Sequence, residues 1–231
     1  MKLYGFQKLT LLDFPGHTAA TVFTGGCNLR CPFCHNSLLV TEVSDLESID
    51  ESEVLSYLRK RSGILDGLAI TGGEPLLSRE IRPFIEEVRK IGMKVKLDTN
   101  GFYPEKLREL AEAGLLDYVA VDVKNSKERY GETVGVPGID LRPVEETVRY
   151  LLSGRVPYEF RTTVVSELHS VDDIGKIGQW IAGADRYFLQ CFVDSGATIS
   201  PGLSAPSREK LKEMAEKASP FVKTVKIRGV D

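Results

Sequence analysis

Six times along the chain, a short apolar run gives way to a polar or Gly-rich turn and then to a stretch with helical spacing. The apolar runs fall at residues 19–24, 67–70, 94–97, 118–121, 158–165 and 187–192. Between them, apolar residues recur at intervals of three and four. Val54, Leu55 and Leu58 do so within 48–61, and Ile81, Phe84, Ile85, Val88 and Ile91 do so before Gly92. Pro104 opens a further helix that Gly114 closes. Helices are also expected at 144–152, at 170–181 with Ser170 and Asp173 spaced as a capping box, and at 207–218. Strands joined through helices pair in parallel with right-handed crossovers, so an α/β fold with a mostly parallel sheet is expected. A closed eight-unit barrel takes about 250 residues. With 231 residues the chain is expected to form a partial, open TIM-like (β/α)6 barrel. Residues 3–16, ending in a Pro15-Gly16 turn, read as an N-terminal β-ribbon cap, and 221–227 is a last apolar run. No internal repeat or linker interrupts the pattern, so one domain over 1–231 is expected.

The loop after the first strand carries the chemistry. Cys27, Cys31 and Cys34 crowd into eight residues, although the chain has only 4 cysteines. Three thiols at this spacing call for a metal, because pairing them would leave one odd and Cys191 is the only other partner. A structural zinc site is one account, with His35 or Cys191 as fourth ligand. The other is an iron–sulfur cluster. A four-iron cluster normally takes four cysteines, so three would leave one iron open to a ligand that is not protein.

Cys-x3-Cys-x2-Cys with the aromatic Phe33 before its last cysteine resembles the signature of the radical S-adenosylmethionine (SAM) superfamily. There the open iron of a [4Fe–4S] cluster is chelated by the amino and carboxylate groups of SAM. Residues 5–8 and 13–16, Val22-Phe23-Thr24-Gly25-Gly26-Cys27-Asn28 and Cys34-His35-Asn36 are similar to the opening of the anaerobic ribonucleoside-triphosphate reductase activating proteins, cousins of the pyruvate formate-lyase activating enzymes. The resemblance implies that Cys27, Cys31 and Cys34 hold the cluster.

Other strand ends carry the rest of the implied site. Gly72, Gly73 and Glu74 resemble the family's GGE segment, which holds the SAM amino group; without that context, Gly-Gly is an ordinary turn. Asp98 with Asn100 is a helix cap in the plainest view, whereas the resemblance turns Asp98 toward the same amino group. Asp122 and Lys124 resemble a DxK motif, Lys124 pairing with the SAM carboxylate and Asp122 with the ribose hydroxyls; a salt-bridged strand end is the alternative. Arg161 and Thr163 resemble the adenine-side strand. Gln190 stands where formate-lyase activators carry a histidine, which is absent here. Cys191 is expected to be a buried small apolar residue, and His17 and His169 to face solvent.

A net charge of −3 offers no broad basic surface for nucleic acid. No apolar run reaches the roughly 18 residues of a membrane span, and the N-terminus lacks a signal-peptide core, so a cytoplasmic protein with reduced thiols is expected. The resemblance implies reductive cleavage of SAM and abstraction of a Cα hydrogen from a glycine in a partner enzyme. Only 37 residues separate Cys34 from Gly72, too few for the ferredoxin-like insert of several activators. The expected partners are therefore the large subunit of anaerobic ribonucleotide reductase and a low-potential electron donor of the flavodoxin or ferredoxin type. Pyruvate formate-lyase is the alternative target, and a small-molecule enzyme like the 7-carboxy-7-deazaguanine synthases is a second reading. The loops 125–140 and 193–207, with the N-terminal ribbon, are the expected docking surface.

Overall fold

The computed structural model describes residues 1–230. Its centre is an eight-stranded sheet, to which the sequence contributes strands wherever a run of apolar and β-branched residues is long enough to be buried on both faces. In chain order the strands are β1 (Lys2–Leu3), β2 (Gly5–Thr10), β3 (Ala19–Thr24), β4 (Ile49–Asp50), β5 (Gly67–Gly72), β6 (Lys94–Thr99), β7 (Tyr118–Asp122), β8 (Tyr158–Val164), β9 (Tyr187–Cys191) and β10 (Val225–Arg228). The helices are α1 (Leu38–Thr41), α2 (Glu51–Lys60), α3 (Ile81–Lys90), α4 (Pro104–Glu112), α5 (Tyr130–Thr133), α6 (Arg142–Leu152), α7 (Val171–Trp180) and α8 (Arg208–Ala218).

The sheet runs β10-β9-β8-β7-β6-β5-β3-β2, parallel throughout except for the β2–β3 pair. Because β10 and β2 are not paired with each other, the barrel stays open along one side. Each amphipathic helix lays its apolar stripe on the sheet; α3 buries Ile81, Phe84, Ile85 and Val88. Together these faces form one large core running through all the parallel strands except β10, whose Val225 and Ile227 pack against its edge.

Three elements depart from the expectation. The final run, expected at 221–227, forms β10 and adds a parallel strand at the edge of the sheet. The N-terminal ribbon divides: β1 pairs with β4, while β2 lies antiparallel along β3 as the other edge. The helix expected from residue 48 begins at Glu51, because the Asp50 carboxylate accepts the Ser52 N–H at 2.8 Å and caps it. The capping box at Ser170 and Asp173 is present, with both reciprocal bonds made.

Candidate active site

The carboxyl ends of the strands enclose a cavity of about 200 Å³. Cys27, Cys31 and Cys34 border it with Phe33. Gly72, Gly73, Asp98 and Asn100 face it from the ends of β5 and β6. Asp122, Lys124, Arg161, Thr163 and Gln190 close it from β7, β8 and β9. Pleating explains the selection: Arg161 and Thr163 alternate on one face of β8, and the parallel register sets Asp122 opposite Arg161 and Gln190 opposite Thr163.

The cysteine loop leaves β3 at Gly25 and is held by backbone from four other segments. Gly26 N–H donates to Leu39 O at 2.7 Å and Arg30 N–H to Val134 O at 2.9 Å. Ser200 N–H donates to Pro32 O at 2.9 Å, and Asn36 Nδ2 to Gly72 O at 3.1 Å. His35 stacks on the Phe192 ring and donates from Nε2 to Val193 O at 2.8 Å. The loops expected to greet a partner thus also brace this loop. A Cβ on Gly135 would lie 2.4 Å from Arg30 O, so this position belongs to the support of the cysteines and is not a free tip.

The glycines of the next motif have a similar explanation. A Cβ on Gly72, whose φ is +128°, would lie 2.3 Å from both Thr24 N and Thr24 O, and one on Gly73 would lie 2.0 Å from Gly26 O. Neither clash is sterically tolerable, so the end of β5 seats directly on the start of the cysteine loop only because both side chains are missing.

Across the cavity lies a ladder of alternating charge. Lys96 bonds Asp98, Arg161 reaches Asp98 Oδ2 at 3.1 Å and Asp122 Oδ1 at 2.9 Å, and Lys124 Nζ reaches Asp122 Oδ2 at 3.0 Å. Burial alone would raise the Asp122 pKa, but Arg161 and Lys124 outweigh it and hold the carboxyl well below the usual range. Burial works against the Lys124 ammonium too, and Asp122 more than restores it. Both groups are therefore charged at neutral pH. The paired strand end foreseen as the plain alternative is real, and it lines the cavity.

The thiols differ. Burial pushes Cys31 up to about 12 and raises Cys27 and Cys34 as well. Without metal they are neutral, and a cation binding them must displace protons. The donor set suits a cluster anchored at three points. Of the two candidate fourth ligands for zinc, Cys191 does not border the cavity; His35 does, with Nε2 donating to Val193 O and Nδ1 left over, but among the described residues no three His, Cys, Asp or Glu side chains gather as closely as a single metal ion needs. Leu29 N–H lies 3.4 Å and Asn100 Nδ2 3.8 Å from the Cys27 sulfur, donors that stabilise a thiolate.

The model of the radical SAM superfamily matches residues 21–180, more than half of the chain. The chain belongs to the radical SAM superfamily. Relatives place it in the glycyl-radical-activating branch. A candidate glycyl-radical enzyme activating enzyme of Methanocaldococcus jannaschii is 30% identical over 234 residues, spanning 98% of this chain and 95% of the relative. The pyruvate formate-lyase 1-activating enzyme of Escherichia coli K12 is 28% identical over 179 residues, 74% of this chain and 71% of that one. Among solved structures, Streptococcus suis SuiB superposes with a TM-score of 0.70 at 15% identity, over 90% of this chain and 48% of that chain, a likeness of fold. Radical SAM enzymes use a [4Fe–4S] cluster and SAM, and this chain is an enzyme of radical chemistry with those cofactors.

In this radical SAM chain, one expected contact is displaced. Glu74 does not border the cavity but is fully buried behind it. Its carboxylate already accepts Leu76 N–H at 3.0 Å, the Thr99 hydroxyl at 2.8 Å and Asn100 N–H at 2.7 Å. Its oxygens face three protein donors and not the cavity, so the carboxylate is not aimed at a ligand ammonium. Burial still pushes it up to about 7 against those three bonds.

Two other expectations are corrected. His169 is buried; Nε2 donates to Lys124 O at 2.8 Å and Nδ1 accepts Val165 N–H at 3.1 Å, which joins the ends of β7 and β8 beneath Phe33. Burial lowers its pKa, so the ring is neutral. Cys191 is only partly buried, packed against the core at the end of the edge-proximal β9. Asn28 and Asn36 stand out in sequence only through the resemblance, and their hydrogen bonds to Asn100 and Gly72 have no signal in sequence spacing.

Proposed function

We propose that this chain activates anaerobic ribonucleoside-triphosphate reductase by removing a Cα hydrogen from one glycine of its large subunit, with pyruvate formate-lyase as the alternative target. The observation that carries this reading is the placing of three neutral thiols and a fixed charge ladder on opposite sides of one cavity at the rim of an open barrel. Cys27, Cys31 and Cys34 would anchor the cluster. The bound cluster and SAM supply the electron and the reductive scission of the sulfonium carbon–sulfur bond, chemistry that belongs to the cofactors.

The chain's own residues orient and shield. Lys124, charged and 15% exposed, offers a point cation to the SAM carboxylate. Asp122 offers a double acceptor to the ribose hydroxyls, and Asp98 an acceptor to the amino group. Arg161 locks both carboxylates into fixed directions. Phe33 covers the cluster side, and Thr163 and Gln190 stand on the strands assigned to the adenine. The unclosed side between β10 and β2 gives a partner's glycine loop a way in that a sealed barrel would deny, and no helix among the described residues is long and apolar enough to cross a membrane. A single domain over 1–231, a cytoplasmic setting and a flavodoxin- or ferredoxin-type donor complete the proposal.

The test combines anaerobically reconstituted, reduced protein with SAM and a candidate glycyl-radical enzyme, read by electron spin resonance. A glycyl-radical signal in the reductase is expected. Silence with every candidate, together with SAM cleavage stimulated by a purine-like small molecule, would overturn the partner assignment in favour of a small-molecule radical SAM enzyme.

A further inference from the structure

The Glu74 carboxylate, displaced from the cavity, has another task. Its own N–H donates to Gly26 O at 2.8 Å, the residue immediately before Cys27. Its Oε2 accepts Asn100 N–H at 2.7 Å, and its Oε1 accepts the hydroxyl of Thr99, which in turn accepts Gly101 N–H at 3.1 Å. The turn after β6 is thereby fixed from behind. The Asn100 side chain is fixed from both ends: Oδ1 accepts Phe102 N–H at 3.1 Å, and Nδ2 donates to Asn28 Oδ1 at 2.8 Å. What remains of the amide donor points at the Cys27 sulfur, 3.8 Å away. Asn100 is buried, so water does not compete for that sulfur from its side.

We propose that Asn100 sets the reduction potential of the cluster by hydrogen-bonding the Cys27 sulfur, and that Glu74 is the positioning residue that aims it. The proposal rests on the cluster being held by Cys27 and is independent of the partner's identity. The physics is electrostatic. Reduction adds negative charge that is shared with the ligand sulfurs, and an N–H dipole aimed at one of them stabilises the reduced state more than the oxidised state, raising the potential. Leu29 N–H also serves Cys27, but that donor is backbone and cannot be exchanged by substitution. Asn100 is the side-chain donor, and so the adjustable one.

The pair also explains why Glu74 carries a carboxylate at a site where burial opposes its charge. Three donors converge on two oxygens, so both oxygens must accept. In Glu74→Gln one oxygen becomes an NH2 group that faces either Asn100 N–H or the Leu76 and Thr99 donors, and the turn must shift to relieve it.

The experiment is a potentiometric titration of the reconstituted holoprotein, followed by the spin-resonance signal of the reduced cluster, with iron and sulfide counted on each sample. Asn100→Leu removes the donor. Loss of one hydrogen bond to a charged acceptor changes the reduced-to-oxidised ratio at fixed potential by about tenfold, a downward shift of about 59 mV for one electron. Asn100→Met also removes the donor and adds no charge beside Cys27, so it reports the same direction if Asn100→Leu assembles poorly. Glu74→Gln should shift the midpoint the same way but less, and in the Asn100→Leu background it should add nothing. A merely structural Glu74 would lower cluster content while leaving the midpoint of the loaded fraction in place. Midpoints of both Asn100 variants within twofold of the parent ratio, at full cluster content, would overturn the assignment of Asn100. An additive shift from Glu74→Gln would overturn its dependence on Asn100. Failure of the cluster to assemble in the unsubstituted protein would strike the cluster assignment instead.

Discussion

The two sides of the cavity are built by opposite means. The cysteine loop is irregular and carries neutral thiols; it is held mainly by single hydrogen bonds, from Leu39 just beyond it and from segments far away in sequence such as Val134 and Ser200. The facing wall is made of regular strand ends, and its side chains hold one another by charge from Lys96 to Lys124. A loop that must accept a bulky inorganic group gains from having no preformed charge to neutralise, since its sulfurs acquire charge only when metal displaces their protons. On the proposed assignment, a wall that meets a charged amino acid head and a ribose gains from charges already fixed in place, which cost no reorganisation at the moment of binding.

The contrast is broken most severely on the loop side. Cys31→Ala removes one of three sulfur anchors and should abolish both iron retention and SAM cleavage, as measured by metal analysis and methionine release, while far-ultraviolet circular dichroism is preserved. On the wall, Asp122→Asn leaves Arg161 and Lys124 sharing a site with one counter-charge fewer. Breaking such a half-buried network should cost about 1.5–3 kcal/mol in denaturant unfolding of the metal-free protein. The two sides then fail differently: the loop loses its metal, the wall its stability.

The pH dependence separates Glu74 from Asp122. The Glu74 pKa rises on folding from 4.5 to about 7, so between those values the folded protein keeps a proton that the unfolded chain releases. Stability is therefore full below the unfolded pKa and falls as pH rises through the window, by about 3 kcal/mol for the whole shift. Asp122, with its pKa depressed, contributes stability above the unfolded value of 3.8 and loses it as pH falls further, so the two act in separate ranges. Unfolding of metal-free Glu74→Gln should show a flatter profile between pH 4.5 and 7; a profile parallel to that of the parent would remove Glu74 as its source.

The smallest effect tests the supports of the loop. The Ser37 hydroxyl donates to Ala197 O at 2.6 Å, tying 193–200 to the segment after the cysteines. Ser37→Ala should cost about 1 kcal/mol and speed limited proteolysis near Ala197, with iron content unchanged.

Much of this was legible in the sequence because it is local or periodic. The spacing of Cys27, Cys31 and Cys34 and the apolar stripe of α3 are properties of a few consecutive residues, and the order of strands and helices follows from repetition of the same pattern. The strand-end residues could be named because parallel strands put their carboxyl ends on one rim. The misread residues had partners distant in the chain. Glu74 looked like a ligand acceptor until Thr99 and Asn100 arrived from β6, and His169 looked exposed until Lys124 O arrived from the end of β7. Gly72 and Gly73 show in sequence only as a family segment or an ordinary turn, because the backbone that forbids them a Cβ, at Thr24 and Gly26, comes from a strand distant in the chain.

The most direct test of the cavity's division of labour is the spectrum of the reduced, reconstituted protein before and after SAM is added. A cluster anchored by three sulfurs has an iron free to take the amino acid head, so the account predicts iron and sulfide in equal amounts, about four of each per chain, and a spin-resonance signal that changes on addition of SAM. About one zinc per chain without sulfide, or a signal indifferent to SAM, would contradict it.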